Sequence, residues 1–177
     1  MKYSSTVCEQ EAILRTAQQM CTAARTAPKT KGTDHIRTLV LTGEDKDALA
    51  ATLESLAEPL NKAFFVRDAN NLRTAGAVVL IGTTTAIHGL DAACQFCGFA
   101  GCAACTAAGA ICAYDHIDLG IAVGSAVSVA ADLRVDSRVM FSIGRAAMEL
   151  KLLGEEVVAV LGIPLSVSGK SPFFDRK

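Results

Sequence analysis

Strand-length apolar runs and segments of helical periodicity alternate along this 177-residue chain, which predicts a mixed fold, α/β or α+β, with three strands able to form one sheet. Two of the runs, Ala77–Gly82 (AVVLIG) and Val157–Leu161 (VVAVL), are continuously apolar, the pattern of strands covered on both faces. No Gly/Ser linker divides the chain, and no repeat of roughly 20 to 50 residues recurs. A single domain over 1–177 follows, with a Cys-rich segment at 91–115 inside it.

In chain order, Glu9–Thr26 predicts a helix, because Ile13, Leu14, Ala17, Met20, Cys21 and Ala24 form a stripe at helical spacing. Pro28 stops it. His35–Thr42 (HIRTLVLT) reads as a short strand, and Gly43-Glu44 turns it into a second helix over Asp45–Leu60. Beyond the cysteines, Leu119–Leu133 is apolar on most faces and rich in small residues, so a helix buried on several sides is expected, with Gly120 and Gly124 as packing positions. Asp136, Ser137 or Ser142 is a candidate cap for a further helix ending near Leu153, and Gly154 is its stop. The tail GIPLSVSGKSPFFDRK reads as an irregular, docked segment.

Composition narrows the function. Seventeen Lys and Arg against eighteen Asp and Glu give a net charge of -1, so no nucleic-acid footprint is visible. The uncharged stretch 92–114 is long enough to span a bilayer. Five Cys, three Gly and a Gln within it, and few Leu, Ile or Val, argue against a membrane span. Glu9 and Glu11 precede any apolar stretch, so no signal-peptide core forms and a cytoplasmic location is expected.

Five of the seven cysteines fall in one window, Cys94-x2-Cys97-x4-Cys102-x2-Cys105-x6-Cys112. In a reducing compartment such a cluster of thiols points to a metal centre before a disulfide framework. Only four residues separate the two CxxC pairs, whereas zinc ribbons separate theirs by roughly 12 to 20. That spacing, with Gly98 and the apolar neighbours Phe96, Phe99 and Ile111, suits an iron-sulfur cluster. A zinc-stabilised interaction domain is the competing reading. Cys94, Cys97 and Cys102 resemble the C-x2-C-G-x3-C pattern of four-cysteine 4Fe-4S domains found in corrinoid and electron-transfer proteins. The fourth ligand is then Cys105 or Cys112, with Cys112 preferred because it restores the remote fourth cysteine of that motif. Cys8 and Cys21, isolated on or beside the first helix, read as core residues.

Two longer resemblances follow. The run from Cys112 to Leu150 (CAYDHIDLGIAVGSAVSVAADLRVDSRVMFSIGRAAMEL), with GIPLSVSGKSPFFDR from Gly162 to Arg176, resembles a family of bacterial and archaeal proteins described as uncharacterised and containing a ferredoxin domain (domain of unknown function 2148). It implies cluster binding through Cys94, Cys97, Cys102 and Cys112 and names no reaction. The segments AARTAPKTKGTDHIRTLVLTGED, DLGIAVGSAVSVAADLRVDSRVM and VVAVLGIP are similar to parts of the nitroreductase fold. This second resemblance implies an α+β sheet, antiparallel or mixed and flanked by helices, a homodimer, and FMN at the dimer interface. The Arg-rich opening with which that fold grips the flavin phosphate is absent, since only Arg15 stands there. Arg25, Lys29, Lys31, Lys170 and Arg176 are the candidate replacements, against the commoner reading of solvated surface cations.

His88 and His116 bracket the cysteines as alternative ligands, though hydrogen-bonded or solvated histidines are the commoner outcome. Asp115 and Asp118 read as helix caps before general acids. The functions in view are an iron-sulfur protein of redox type with a partner protein, an FMN-dependent oxidoreductase, and the zinc-stabilised domain.

Overall fold

The computed structural model describes residues 1–174. Its sheet has four antiparallel strands: β1 (Ile36–Leu41), β2 (Ala77–Thr84), β3 (Asp136–Ser137) and β4 (Val157–Ser166), in the order β1-β2-β4-β3. Every residue of β2 is buried, which is what its unbroken apolar run requires. Side chains alternate along it: Val78 and Leu80 point to one face, Val79 and Ile81 to the other.

The helices divide between those two faces. On one, α2 (Gly43–Ser55), α3 (Phe64–Thr74) and α6 (Phe141–Glu149) contribute Leu49, Leu53, Phe65, Leu72 and Ile143, and Phe173 from the tail closes the layer at 1% exposure. On the other, α1 (Ser5–Thr26) packs along α5 (Ala113–Asp132), with Met20, Ala24, Ala122 and Ala126 fully buried between them and the sheet. Alanines at this contact let the two helices approach closely, so the chain builds much of this core without aromatic residues. A short helix, α4 (Cys102–Ala107), belongs to a loop lobe between β2 and α5.

Several expectations need correction. The second helix ends at Ser55, followed by turns with Asn61 at φ 51°. Helix α3 is not predicted by the sequence reading, although Phe65, Asp68, Ala69 and Leu72 keep helical spacing and are all buried. Its polar member hides the stripe: Asp68 is buried because it accepts from Ser142 Oγ at 2.6 Å and pairs with Arg67 at 2.8 Å. None of Asp136, Ser137 and Ser142 caps α6. The first two form β3, Ser142 serves Asp68, and Met140 holds the cap position without a side-chain bond. That helix ends at Glu149, short of Leu153.

The part of the tail from Gly162 to Ser166 is not irregular; it continues β4. Gly162 and Pro164 disguise it. A β-carbon on Gly162 would stand 2.2 Å from Ile143 Cγ2, so the glycine makes room for α6. Gly162 exchanges both backbone bonds with Met140, and by strand alternation Pro164 turns its missing donor toward the same, interrupted edge. Cys8 is exposed, contrary to its reading as core, while Cys21 is partly buried against the α1–α5 layer, and burial pushes its thiol pKa up.

The contact between α6 and β4 leaves no freedom at Gly144, where a β-carbon would meet the Val160 carbonyl oxygen at 1.8 Å. We expect Gly144→Ala to destabilise the protein by about 3 kcal/mol, since the obstacle is backbone. Urea denaturation checks this; an unchanged midpoint would contradict the packing described.

Candidate metal centre

The lobe at 85–112 is tied to the scaffold by the first turns of α5. Asp115, 1% exposed, accepts three hydrogen bonds from the start of the lobe: Thr85 Oγ1 at 3.2 Å, Ala86 N–H at 3.1 Å and His88 Nε2 at 3.0 Å. One turn on, Asp118 accepts from the N–H and hydroxyl of Thr30 at 3.0 and 2.9 Å. Both carboxylates lie in the first turns of the helix. Neither is a cap, as had been expected; Cys112 holds that position, and the carboxylates reach out to latch neighbouring loops.

His88 lies under this latch, 6% exposed, with its ring edge-on to His35 at 5.8 Å and to Tyr114 at 6.0 Å. Tyr114 stacks on Phe96 at 5.6 Å, and Phe96 is 66% exposed, so it covers the tyrosine without being shielded itself. His116 is exposed and borders a different pocket beside Leu119 and Phe141. Of the two histidines, His88 alone shares a wall with the cysteines, and its Nε2 is engaged by Asp115.

Cys94, Cys97, Cys102 and Cys112 line one small cleft together with His88, Phe99 and Tyr114. Cys97, Cys102 and Cys112 also form part of the wall of a larger pocket, whose fourth cysteine is Cys105. The structure therefore groups Cys112 with Cys97 and Cys102 on both sides. It leaves Cys94 and Cys105 as the pair that lie on different sides. Among the described residues, no three His, Cys, Asp or Glu side chains are gathered as a single metal ion would need.

The backbone treats the sulfurs differently. The Phe96 N–H donates to Cys94 Sγ at 3.4 Å and the Asp91 N–H to Cys102 Sγ at 3.3 Å, the kind of bond that stabilises cluster thiolates. Asp91 Oδ1 in turn accepts from the Cys102 N–H at 3.0 Å. A β-carbon at Gly101 would stand 2.3 Å from that same oxygen, so the glycine before Cys102 is what admits the clasp. The Cys105 S–H donates to the Ala110 carbonyl at 3.6 Å, and burial, aided by Cys97 beside it, pushes its pKa up. Four thiols thus line one cleft, with backbone N–H groups on two of them, a donor chemistry that suits iron and sulfide.

The proposed phosphate cations are arranged less favourably. Arg25 pairs with Asp34 and donates to the Ile36 carbonyl at 3.1 Å. Lys29 Nζ donates to the Ala24 and Ala27 carbonyls, both at 2.8 Å, and so caps the end of α1. Lys31 is exposed in a left-handed turn, φ 55°, with its ammonium near Gly89 at the lobe. Lys170 lies exposed in the tail, and Arg176 falls outside the described residues. No helix of the described residues is long and apolar enough to cross a membrane.

A four-stranded antiparallel sheet between two helical layers, with a cysteine lobe latched to its long helix, defines a nitroreductase-fold protein with a thiol-rich loop. Solved structures agree on the fold. The nitroreductase CinD from Lactococcus lactis, solved in complex with nicotinic acid, matches at a TM-score of 0.59 and 17% identity, over 93% of this chain and 84% of that one. A putative NADH dehydrogenase/NAD(P)H nitroreductase from Bacteroides thetaiotaomicron matches at 0.57 and 15%, over 88% and 74%. A further match, at 0.56 and 13% over 88% and 67%, is described as an oxidoreductase containing FMN. The family is narrower than the fold. A protein of Archaeoglobus fulgidus, described as uncharacterized, is 42% identical over 169 residues, covering 89% of this chain and 88% of its own. The chain belongs to the family described as "uncharacterized protein containing a ferredoxin domain (DUF2148)", whose sequence model matches residues 108–176.

Proposed function

We propose that the chain is an iron-sulfur protein of redox type, holding a 4Fe-4S cluster through Cys94, Cys97, Cys102 and Cys112 on a nitroreductase-like scaffold. The observation that carries this reading is the common cleft of those four thiols, with backbone N–H groups directed at Cys94 and Cys102. When bound, the cluster supplies one-electron transfer. The chain's own part is to hold the ligands: Asp91 clasps Cys102, Asp115 fixes the entry of the lobe, and Phe99 and Tyr114 limit water at the cleft. A thiol-rich lobe of this kind belongs in a reducing compartment, the cytoplasm. Electrons then pass to or from a partner protein. Protein-film voltammetry under anaerobic conditions tests the redox role. A reversible wave between about -700 and +450 mV is expected; no wave from protein with its iron intact would reduce the cluster to a structural tie.

A second reading, an FMN-dependent oxidoreductase in which the cluster exchanges electrons with flavin, is favoured by the fold's likeness to an oxidoreductase containing FMN. Arg25 and Lys29 are engaged inside the chain, and Lys31, exposed in its left-handed turn beside the lobe, is the candidate for the phosphate. Yellow colour released on denaturation would identify it.

We also infer a homodimer through α5. Ile117 and Ile121, 39% and 40% exposed, flank Gly120 and Gly124, and a β-carbon at either glycine would meet nothing within 4 Å in its own chain. The small residues expected to pack a neighbouring helix thus have no neighbour inside the protomer at this face. Light scattering at micromolar concentration is expected to give twice the 18.4 kDa chain mass, and Ile121→Arg to halve it. A single-chain mass for the unmodified protein would contradict the dimer.

A further inference from the structure

The larger pocket beside the cysteines has a volume of about 500 Å³, within the range of small-molecule sites. Cys94 is not on its wall, and a cluster held by Cys97, Cys102 and Cys112 would share this space, leaving the part lined by Ile87, Ile111 and Val158. Its other lining is apolar: Ala86, Ile87, Ala110, Ile111 and Val158, with Gly109. Among the described residues, no Asp, Glu, Lys, Arg or His lines it. Its two hydroxyl groups already donate elsewhere, Thr85 to Asp115 at 3.2 Å and Thr106 to the Cys102 carbonyl at 3.1 Å. The Cys105 S–H is likewise turned to the Ala110 carbonyl.

A charged ligand placed there would lose its water and meet no side chain of opposite charge, a cost that grows with burial. Asp115 already lies in the first turn of the nearby helix α5. An apolar ligand meets the opposite situation, exchanging water for Ile87, Ile111 and Val158. We propose that this pocket binds a small, uncharged and predominantly apolar molecule, seated against Cys97, Cys102 and Cys112 on the side away from Cys94. The inference rests on the cluster reading for its meaning, since three proposed ligands form part of its wall. It sets the ligand class apart from a nucleotide or a flavin phosphate, either of which needs cations that the wall does not have.

The test uses the full chain, purified anaerobically and assayed for iron, with indole as probe and indole-3-carboxylate as its anionic counterpart. Ligand-detected NMR measures binding, and reduction of the cluster supplies a paramagnetic centre that broadens the resonances of a nearby probe. Indole is expected to bind, to broaden on reduction, and to bind about tenfold or more tightly than the carboxylate. Val158→Trp and, at the pocket mouth, Ile87→Trp are each expected to abolish the signal while iron is retained; the second serves if the first fails to fold. Iron-replete protein that leaves indole unbound overturns the pocket alone, as do equal binding of the anion or binding that survives the folded Trp variants. Binding without broadening puts the probe elsewhere and overturns it too. Protein without iron that still binds indole selectively overturns the cluster reading and leaves the apolar site standing.

Discussion

Asp115→Ala is expected to destabilise the protein by about 3–5 kcal/mol, the range for removing one partner from a buried, charged hydrogen-bond group. Three donors converge on this carboxylate, and one of them, the His88 ring, is itself buried and would be left without its partner. Set against the roughly 5–15 kcal/mol of a typical domain, the loss is large. It should also be local: amide exchange at 86–88 should accelerate more than exchange in β2, because the latch holds the lobe rather than the sheet. Asp115→Asn keeps an accepting oxygen but turns an amide toward one donor, so an intermediate loss is expected. A urea midpoint for Asp115→Ala equal to that of the parent would show that the lobe is held by something else.

The second large effect is on metal content. Single Ser substitutions at Cys94, Cys97, Cys102 and Cys112 are each expected to remove most of the iron and sulfide, whereas Cys105→Ser should retain them. Cys97, Cys102 and Cys112 line both the small cleft and the larger pocket, so their losses discriminate least between alternative ligand sets. The informative comparison is Cys94→Ser with Cys105→Ser. Loss at Cys105 with survival at Cys94 would move the fourth ligand across to the pocket side. Full iron in any three of the four proposed ligand variants would defeat the set.

Strand β2 was legible because burial on both sides forces an unbroken apolar run, Ala77–Gly82, whereas the equally apolar run Val157–Leu161 keeps Val158, Ala159 and Leu161 half-buried and so is not fully covered on both faces. The long helix α5 was legible too, though only its apolar half: Asp115 and Asp118 interrupt the pattern because they bond to distant loops, which spacing along one helix cannot reveal. Helix α3 was hidden in the same way by Asp68, whose partner Ser142 lies 74 residues away. The end of β4 was hidden by Gly162 and Pro164, residues that argue against a strand unless the facing helix and the interrupted edge are known. The five cysteines were plain from their spacing. Which of them share a cleft depends on the path of the lobe, set by the Asp91–Cys102 clasp and by left-handed residues at Asp91, Gln95 and Gly98. Three of the cation candidates, Arg25, Lys29 and Lys31, shared a sequence neighbourhood with the end of α1, and there the helix's own carbonyls and Asp34 engage Lys29 and Arg25.

The central claim is that the lobe holds a cubane cluster, and the most direct measurement is the iron, acid-labile sulfide and zinc content of protein produced and purified anaerobically with both metals supplied. The account predicts about four iron and four sulfide per chain, with a paramagnetic resonance signal on reduction. One zinc per chain, with neither iron nor sulfide, would contradict it.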